Sequence, residues 1–165
     1  KDYHRHLLIY GLTKQILVTV LKKKPSQLRF FYNCHGKPYL RGHPLHFNLS
    51  HCGAYVFLGV HPKYPFGVDI EKKGRKVPLS SFLQPTEIAM LSHCPIQLWT
   101  AKEAYVKALG IGFSQSLPTL KSYEESKIKD VSYFVSQIEP SFPPLIVKGY
   151  ENILTDYSLA TCINK

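Results

Sequence analysis

Apolar residues recur with two different periods along the chain, and these periods divide it into helical and extended segments. Over residues 3–21 the apolar positions are spaced by three and four, which predicts an amphipathic helix that ends before Pro25. Over residues 99–109 Ala and Lys are frequent, and neither Gly nor Pro occurs. That composition predicts a second helix, opened by Pro95 and closed by Gly110.

Segments with a period of two predict β-strands in the first half of the chain. Residues 28–32 form one such segment and lead into a turn-like stretch at residues 33–38. Residues 46–51 and 54–60 predict a hairpin whose second strand is apolar enough to be central in its sheet. A further apolar strand is expected over residues 66–71.

The second half of the chain is expected to end in an antiparallel sheet. Short helical pieces are predicted around Pro85, within residues 80–93. The predicted strands of the sheet lie at residues 117–123, 131–138, 145–150 and 157–163. Each half runs from helix to strands, which hints at a duplicated architecture without repeated sequence. We expect an N-terminal lobe over residues 1–63 and a C-terminal lobe over residues 64–165.

The composition and the net charge of the chain limit the kinds of molecule that it is expected to bind. A chain of 165 residues can bury the core of one domain or of two small lobes. Its 21 Lys and Arg against 11 Asp and Glu give a net charge of +10, which favours nucleic acid, phosphorylated small molecules, an anionic membrane or an acidic protein. No apolar run is long enough to predict a membrane span. The four cysteines are widely spaced, which favours a reduced cytoplasmic protein over a disulfide framework.

Two carboxylates lie close together in the strand predicted over residues 66–71. Asp69 and Glu71 are two positions apart, so both side chains point to the same face. Two like charges side by side repel unless a cation lies between them, and Mg²⁺ prefers carboxylate and phosphate oxygens. The basic residues at 72–76 are an alternative source of positive charge, and an exposed carboxylate pair at a strand end is also common.

A third carboxylate lies on the helix predicted over residues 99–109. Trp99, Glu103 and Lys107 are spaced by four and share one face of that helix. An isolated Glu–Lys pair with this spacing is more often a surface ion pair, which contributes only about 0.3–0.5 kcal/mol. Trp99 is expected to anchor the helix in the core.

Three polar residues in turns are candidates for phosphate contacts. Gly36 and Pro38 flank Lys37 and are expected to hold its ammonium group in a defined place. Ser50 and His51, near the end of the first hairpin strand, offer a hydroxyl and an imidazole as donors. A turn-capping serine and an ordinary surface histidine agree equally well with the sequence.

Four short stretches, taken in order, resemble the 4′-phosphopantetheinyl transferases of the Sfp-like class, within the holo-acyl-carrier-protein synthase superfamily. They are Gly36-Lys-Pro38, Phe47-Asn-Leu-Ser-His51, Gly67-Val-Asp-Ile-Glu71 and Trp99-Thr-Ala-Lys-Glu-Ala-Tyr-Val-Lys107. Each stretch alone is a weak signal, but four in this order are a strong one. The resemblance implies an α+β fold of two similar lobes related by a pseudo-twofold axis. Each lobe is then a helix packed on a small antiparallel sheet, with the active site between the lobes.

The resemblance also implies an enzyme that moves 4′-phosphopantetheine from coenzyme A onto a serine of an acyl or peptidyl carrier protein and releases 3′,5′-ADP. Asp69, Glu71 and Glu103 match the carboxylates that hold Mg²⁺ against the coenzyme A pyrophosphate. Glu103 is also the candidate base for the serine hydroxyl. Lys107 matches the lysine beside the scissile phosphate, where it can stabilise developing charge.

The nucleotide side of the site is implied by the same resemblance. Lys37, Ser50 and His51 match contacts on the 3′-phosphate side of coenzyme A. Relatives of this class are expected to carry a further strand and basic residues before the first helix. Arg5 and His6 are the nearest basic side chains here, and this chain is expected to lack that N-terminal part.

The expected partners are coenzyme A and an acidic carrier protein, which the charge of +10 suits. We expect a monomeric cytoplasmic enzyme that binds neither nucleic acid nor membrane. Carriers of the fatty acid, polyketide, nonribosomal peptide and lysine-pathway types all remain open. One alternative is a basic nucleic-acid-binding module whose aromatic residues at 30–32 stack on bases, although it leaves the carboxylates unexplained. Another is a catalytically impaired relative that binds coenzyme A or a carrier.

Overall fold

The structure is a computed structural model of the chain. It describes residues 2–42, 44–77, 85, 87, 95–112, 120–125, 131–136, 145–150 and 154–164. The N-terminal elements are α1 (Asp2–Leu21), a short 3-10 helix (Pro25–Gln27), β1 (Phe30–Tyr32), β2 (Pro38–Leu40), β3 (His46–Cys52) and β4 (Tyr55–His61). The C-terminal elements are β5 (Phe66–Lys72), α2 (Pro95–Leu109), β6 (Leu120–Glu125), β7 (Val131–Ser136), β8 (Leu145–Tyr150) and β9 (Tyr157–Asn164).

Helix α1 confirms the first predicted helix, but the apolar spacing does not mark its buried face, because five of the apolar side chains are exposed: Leu7, Leu8, Leu12, Ile16 and Val20. Ile9, Thr13 and Leu17 are buried, and their spacing of four places them on one face. Leu17 packs in a core cluster with Leu28 and Phe47, which come from the segments that follow in the chain. The inner face of α1 therefore holds the helix against the hairpin strands.

Strand β1 pairs antiparallel with β2 around the turn of residues 33–37. The sequence pattern does not predict β2, because this strand has three residues and begins with Pro38, which has no N–H to donate to a partner strand. Asn33 shapes the turn: its side-chain oxygen accepts hydrogen bonds from the backbone N–H groups of His35 at 3.0 Å and Lys37 at 2.8 Å.

The hairpin of β3 and β4 is confirmed, but the expectation that β4 is a central strand is wrong. Among the described strands, β4 is hydrogen-bonded only to β3, in a two-stranded sheet. On one face of β4, Val56 and Val60 are exposed, whereas Leu58 between them packs beside the core cluster of Leu17 and Phe47. Its other side packs on β5, because Gly59 lies directly against the ring of Phe66. The apolar run thus reflects one face packed on β5 and a second face that is only partly covered, rather than a central position in a sheet.

The C-terminal strands form the antiparallel sheet that the period-2 segments predict, in the order β5-β9-β8-β7-β6. Helix α2 packs on this sheet through a core cluster made mainly of small residues on the helix side. The cluster consists of Leu98, Ala101, Ala104, Tyr105, Val106, Ala108, Val147, Ala160 and Cys162. Because the helix presents alanines to the sheet, its backbone approaches β5 closely.

These elements confirm the predicted α+β fold class with small antiparallel sheets. The boundary between lobes at residues 63 and 64 stays a prediction. Pro85 and Glu87 have helical backbone, and the rest of the helical segment predicted around them lies outside the described residues. In the part of the chain that the structure describes, neither helix has the length and apolar character needed to cross a bilayer.

Candidate functional site

Strand β5 and helix α2 bring the predicted carboxylates and Lys107 to one place. Asp69 and Glu71 are buried on β5, and β5 is the edge strand of the five-stranded sheet against which α2 packs. Glu103 and Lys107 lie one turn apart on α2. The pairing of a strand carrying two acids with a helix carrying an acid and a base therefore forms a single charged site.

Asp69 is the centre of this site. Its Oδ1 accepts a hydrogen bond from the hydroxyl of Ser50 at 2.7 Å and forms an ion pair with Nζ of Lys107 at 2.5 Å. Ser50 is itself in contact with Nζ of Lys107 at 3.1 Å and accepts from the backbone N–H of Ile70 at 3.3 Å. The second oxygen, Oδ2, is buried and has no hydrogen-bond partner among the described residues.

Glu103 faces the same cluster from the helix. Its Oε2 lies 3.8 Å from Nζ of Lys107, so the pair is closer to a loose ion pair than to a hydrogen bond. Burial, and next the negative charge of Asp69, raise the pKa of Glu103 to about 7. Glu103 is therefore not half of an exposed ion pair with Lys107, as the spacing alone would allow, but a mostly buried carboxyl beside Asp69.

Glu71 is held by groups that flank it on two sides. Arg75, four residues further along, forms an ion pair with Oε1 of Glu71. The thiol of Cys52 on β3 lies 3.6 Å from Oε2. The sequence alone leaves open whether the basic residues at 72–76 neutralise the two carboxylates of the strand. In the structure Arg75, one of these basic residues, neutralises Glu71.

The donor set of this site fits a hard divalent cation. Within the described residues, no three acidic, histidine or cysteine side chains enclose a metal position as they stand, and Lys107 and Arg75 each form an ion pair with one of the carboxylates. Nevertheless Asp69 keeps a buried carboxylate oxygen without a partner, and such an oxygen is costly unless something compensates it. Carboxylate oxygens are the ligands that Mg²⁺ takes.

Lys37 lies at the C-terminal end of α2. Its Nζ donates to the carbonyl of Ala108 at 2.7 Å and to that of Phe66 at 3.3 Å. Burial lowers the pKa of Lys37 to about 8. Its assignment as a contact of the nucleotide stays a prediction, and in this structure its ammonium group is directed to backbone carbonyls.

The end of α2 requires a glycine. Gly110 has φ of +72°, which closes the helix in the left-handed region, and its carbonyl accepts a hydrogen bond from the side chain of Asn33 at 2.7 Å. Lys37 and Asn33 thereby attach the turn of residues 33–37 to the helix.

Two clefts lie on either side of this turn. The first, of about 260 Å³, reaches the cluster and is lined by Lys37, Glu103 and Lys107 among others. The second, of about 250 Å³, is bounded by α1 and is lined by Tyr10 and His51 among others. Gly36, Pro38 and Asn48 line both clefts, so the two share a wall. The two clefts therefore adjoin, and we refer to them together as the groove.

His51 is exposed at the second cleft. Burial, followed by the positive charges of Arg5 and Lys107, lowers its pKa, so the imidazole is neutral at physiological pH. Arg5 itself hydrogen-bonds the carbonyl of Gly53 at the tip of the hairpin. Ser50 and His51, adjacent in sequence, therefore point to different places: the serine to Asp69 and the histidine to the groove.

Sequence reasoning missed three residues that shape the site. Arg75 is one member of a basic run, and nothing in the run distinguishes it. Asn48 accepts a hydrogen bond from the backbone N–H of Val68 at 2.9 Å and so fixes β3 against β5. Asn33 looks like an ordinary turn residue. The only available signal was that Asn33 and Asn48 lie within or beside the stretches that carry the resemblance.

Comparison with known proteins identifies the class. A sequence model of the 4′-phosphopantetheinyl transferase superfamily matches residues 65–162. A 4′-phosphopantetheinyl transferase of Bacillus subtilis is 30% identical over 173 residues, covering 98% of this chain and 75% of that protein. The transferase Sfp of B. subtilis strain 168 has the same identity and coverage. The transferase gsp of Aneurinibacillus migulanus is 27% identical over 92% of this chain and 68% of its own length.

The fold and the similarity together define a transferase enzyme. The chain belongs to the 4′-phosphopantetheinyl transferase superfamily, as the four short stretches imply.

Proposed function

We propose that this enzyme transfers 4′-phosphopantetheine from coenzyme A to a serine of an acidic carrier protein and requires Mg²⁺. The observation that carries the proposal is the position of Asp69, which contacts Ser50 and Lys107 on one oxygen and leaves the other without a partner. A buried carboxylate with an uncompensated oxygen, beside a further carboxyl and a lysine, suits a site for a cation and a phosphate.

The reaction needs charge neutralisation and positioning more than covalent help. The serine oxygen of the carrier attacks the phosphorus that bears pantetheine, and the bond from that phosphorus to the bridging oxygen breaks. The bridging oxygen leaves with the bonding electron pair on 3′,5′-ADP. Glu103 takes the proton of the serine hydroxyl, and Lys107 lies where its ammonium can stabilise the charge on the phosphate. Both side chains line the first cleft, which supports these roles.

The ligands of Mg²⁺ in this proposal are Asp69, Glu71 and Glu103. The ion would neutralise the pyrophosphate and so lower the cost of the leaving charge. Residues Lys37, Ser50 and His51 are proposed on the nucleotide side. The groove at His51 and the position of Lys37 beside the first cleft support that assignment, whereas the contact of Ser50 with Asp69 supports a role next to the carboxylates.

The partner in this proposal is an acidic carrier protein rather than nucleic acid or a membrane. A net charge of +10 favours such a partner and steers its approach. We further propose a monomeric enzyme that works in the cytoplasm, which agrees with free thiols at Cys34, Cys52 and Cys162 among the described residues.

Intact-mass spectrometry of an apo carrier protein incubated with this chain, coenzyme A and Mg²⁺ tests the proposal. The expected result is a gain of one phosphopantetheine group that is lost in EDTA and restored by added Mg²⁺. Lys76→Gln, on an exposed loop, serves as a folded control that keeps activity. Absence of transfer to several carriers with retained binding of coenzyme A would favour the impaired relative, and absence of that binding would overturn the proposal.

A further inference from the structure

Arg75 lies at the edge of the carboxylate cluster, beside Glu71. It follows β5 in a tight turn, in which its backbone N–H donates to the carbonyl of Lys72 at 2.9 Å. Its guanidinium pairs with Oε1 of Glu71 and lies 5.9 Å from the ring centroid of Trp99 on α2. The side chain thus contacts both elements that carry the site, the strand and the helix.

The contact between Arg75 and Glu71 differs from an ordinary surface ion pair. The side chain of Glu71 is only 11% exposed, whereas that of Arg75 is 50% exposed. A mostly buried carboxylate needs a compensating charge, and Arg75 supplies it from the solvent side. The other oxygen of Glu71 faces the thiol of Cys52, so both oxygens have neighbours before any ligand enters.

The cluster therefore has two resident cations, with Lys107 on Asp69 and Arg75 on Glu71. A divalent cation that binds Glu71 must compete with the guanidinium for Oε1, because two positive groups cannot share that oxygen without repulsion. Arg75 is exposed and rests against Trp99, so it has both the freedom to turn away and a second favourable surface, the aromatic ring.

We propose that Arg75 is a positioning residue that holds Glu71 in the metal-free protein and is exchanged for the divalent cation when the site is loaded. This inference rests on the metal site of the proposed function. It makes the affinity for the metal lower than the three carboxylates alone would give, and it keeps Glu71 in place until the metal arrives.

Binding of Mn²⁺ alone to the full chain, followed by the electron paramagnetic resonance signal of free Mn²⁺, tests this exchange without any turnover. Arg75→Gln is expected to lower the dissociation constant about three- to tenfold relative to Lys76→Gln, since an ion pair of this exposure contributes about 1 kcal/mol. Lys76 lies next in the chain and is exposed, so the two variants remove the same charge from the same loop. Arg75→Lys keeps the charge but loses the planar fork, and its affinity should fall between wild type and Arg75→Gln.

The outcomes separate the two proposals. Equal affinity in Arg75→Gln and Lys76→Gln, or weaker binding in Arg75→Gln, would overturn the exchange while leaving the metal site in place. Wild-type binding that is unchanged by Asp69→Asn would overturn the metal site, and the exchange with it. Circular dichroism of each variant checks that the fold is retained, and saturable binding that appears only in Arg75→Gln would support the exchange in its strongest form.

Discussion

Gly67 on β5 lies directly against the backbone of Ala104 on α2, so that a Cβ at position 67 would overlap the Ala104 carbonyl oxygen and come within 2.5 Å of the backbone nitrogen of Ala108. Both of these atoms belong to the helix backbone, which cannot move aside as the end of a flexible side chain can. This contact sets the distance between the strand that carries Asp69 and the helix that carries Glu103.

Gly67→Ala is therefore expected to destabilise the protein by about 3 kcal/mol or more, because α2 must move away from β5. Transfer should be lost together with stability. Chemical unfolding followed by circular dichroism measures the effect. Gly74→Ala is the matched control, since no atom lies within 4 Å of a Cβ at that glycine. A stable, active Gly67→Ala protein would show that the helix and the strand are not in fixed contact.

The ion pair between Lys107 and Asp69 leads to a second prediction. Lys107→Met should destabilise the protein by about 1–3 kcal/mol, because it leaves a buried carboxylate with only Ser50 as a partner. Asp69→Asn in the same chain should recover part of that loss, since the uncompensated charge is then gone. A double-mutant cycle by urea unfolding in EDTA gives the coupling energy, and a coupling near zero would contradict the pairing.

Most of the charged residues of this site could be predicted from the sequence. Asp69 and Glu71 alternate with apolar positions along a strand, and Glu103 and Lys107 repeat with the period of a helix, so their faces follow from local geometry. The existence and the approximate positions of α1, α2 and the C-terminal strands follow from the same periods. Local patterns of this kind predict an element, but not always its inner face, since Leu8 and Val20 of α1 are apolar and exposed.

The contacts of several side chains could not be predicted from the sequence, because they depend on which helices and strands pack against each other. Ser50 contacts Asp69, nineteen positions away, and Lys37 reaches carbonyls 29 and 71 positions away. A lysine in a turn carries no local signal for a phosphate or for the end of a helix. The exposure of β4 is of the same kind, since an apolar run does not reveal that one of its faces is only partly covered.

Lys37 leads to a third prediction, which separates a structural role from contact with the nucleotide. Lys37→Ala should lower the free energy of unfolding by about 1–3 kcal/mol, because the carbonyls of Ala108 and Phe66 lose a charged donor. Lys76→Ala, at an exposed position, should change it little. Thermal unfolding and the KM for coenzyme A are measured together. An unchanged melting temperature with a raised KM would assign Lys37 to the ligand alone.

Glu103 leads to the last prediction, which concerns both activity and pH. Glu103→Gln should abolish transfer, because the amide can accept no proton from the carrier serine. The same change should stabilise the metal-free protein at neutral and higher pH. Burial raises the pKa of Glu103 from the ordinary value of 4.5 to about 7, so between these values the folded protein binds more protons than the unfolded chain. The wild type therefore loses stability as the pH rises through that window.

Urea unfolding of wild type and Glu103→Gln in EDTA, at pH 5 and pH 8, measures this difference. We expect the variant to gain about 1–3 kcal/mol on the wild type between the two pH values, which is the cost of ionising a buried carboxyl. Asp156→Asn removes an exposed carboxyl and should show no such change. A difference that is the same at both pH values would mean that burial does not raise the pKa of Glu103, and full transfer activity in Glu103→Gln would remove this residue as the base.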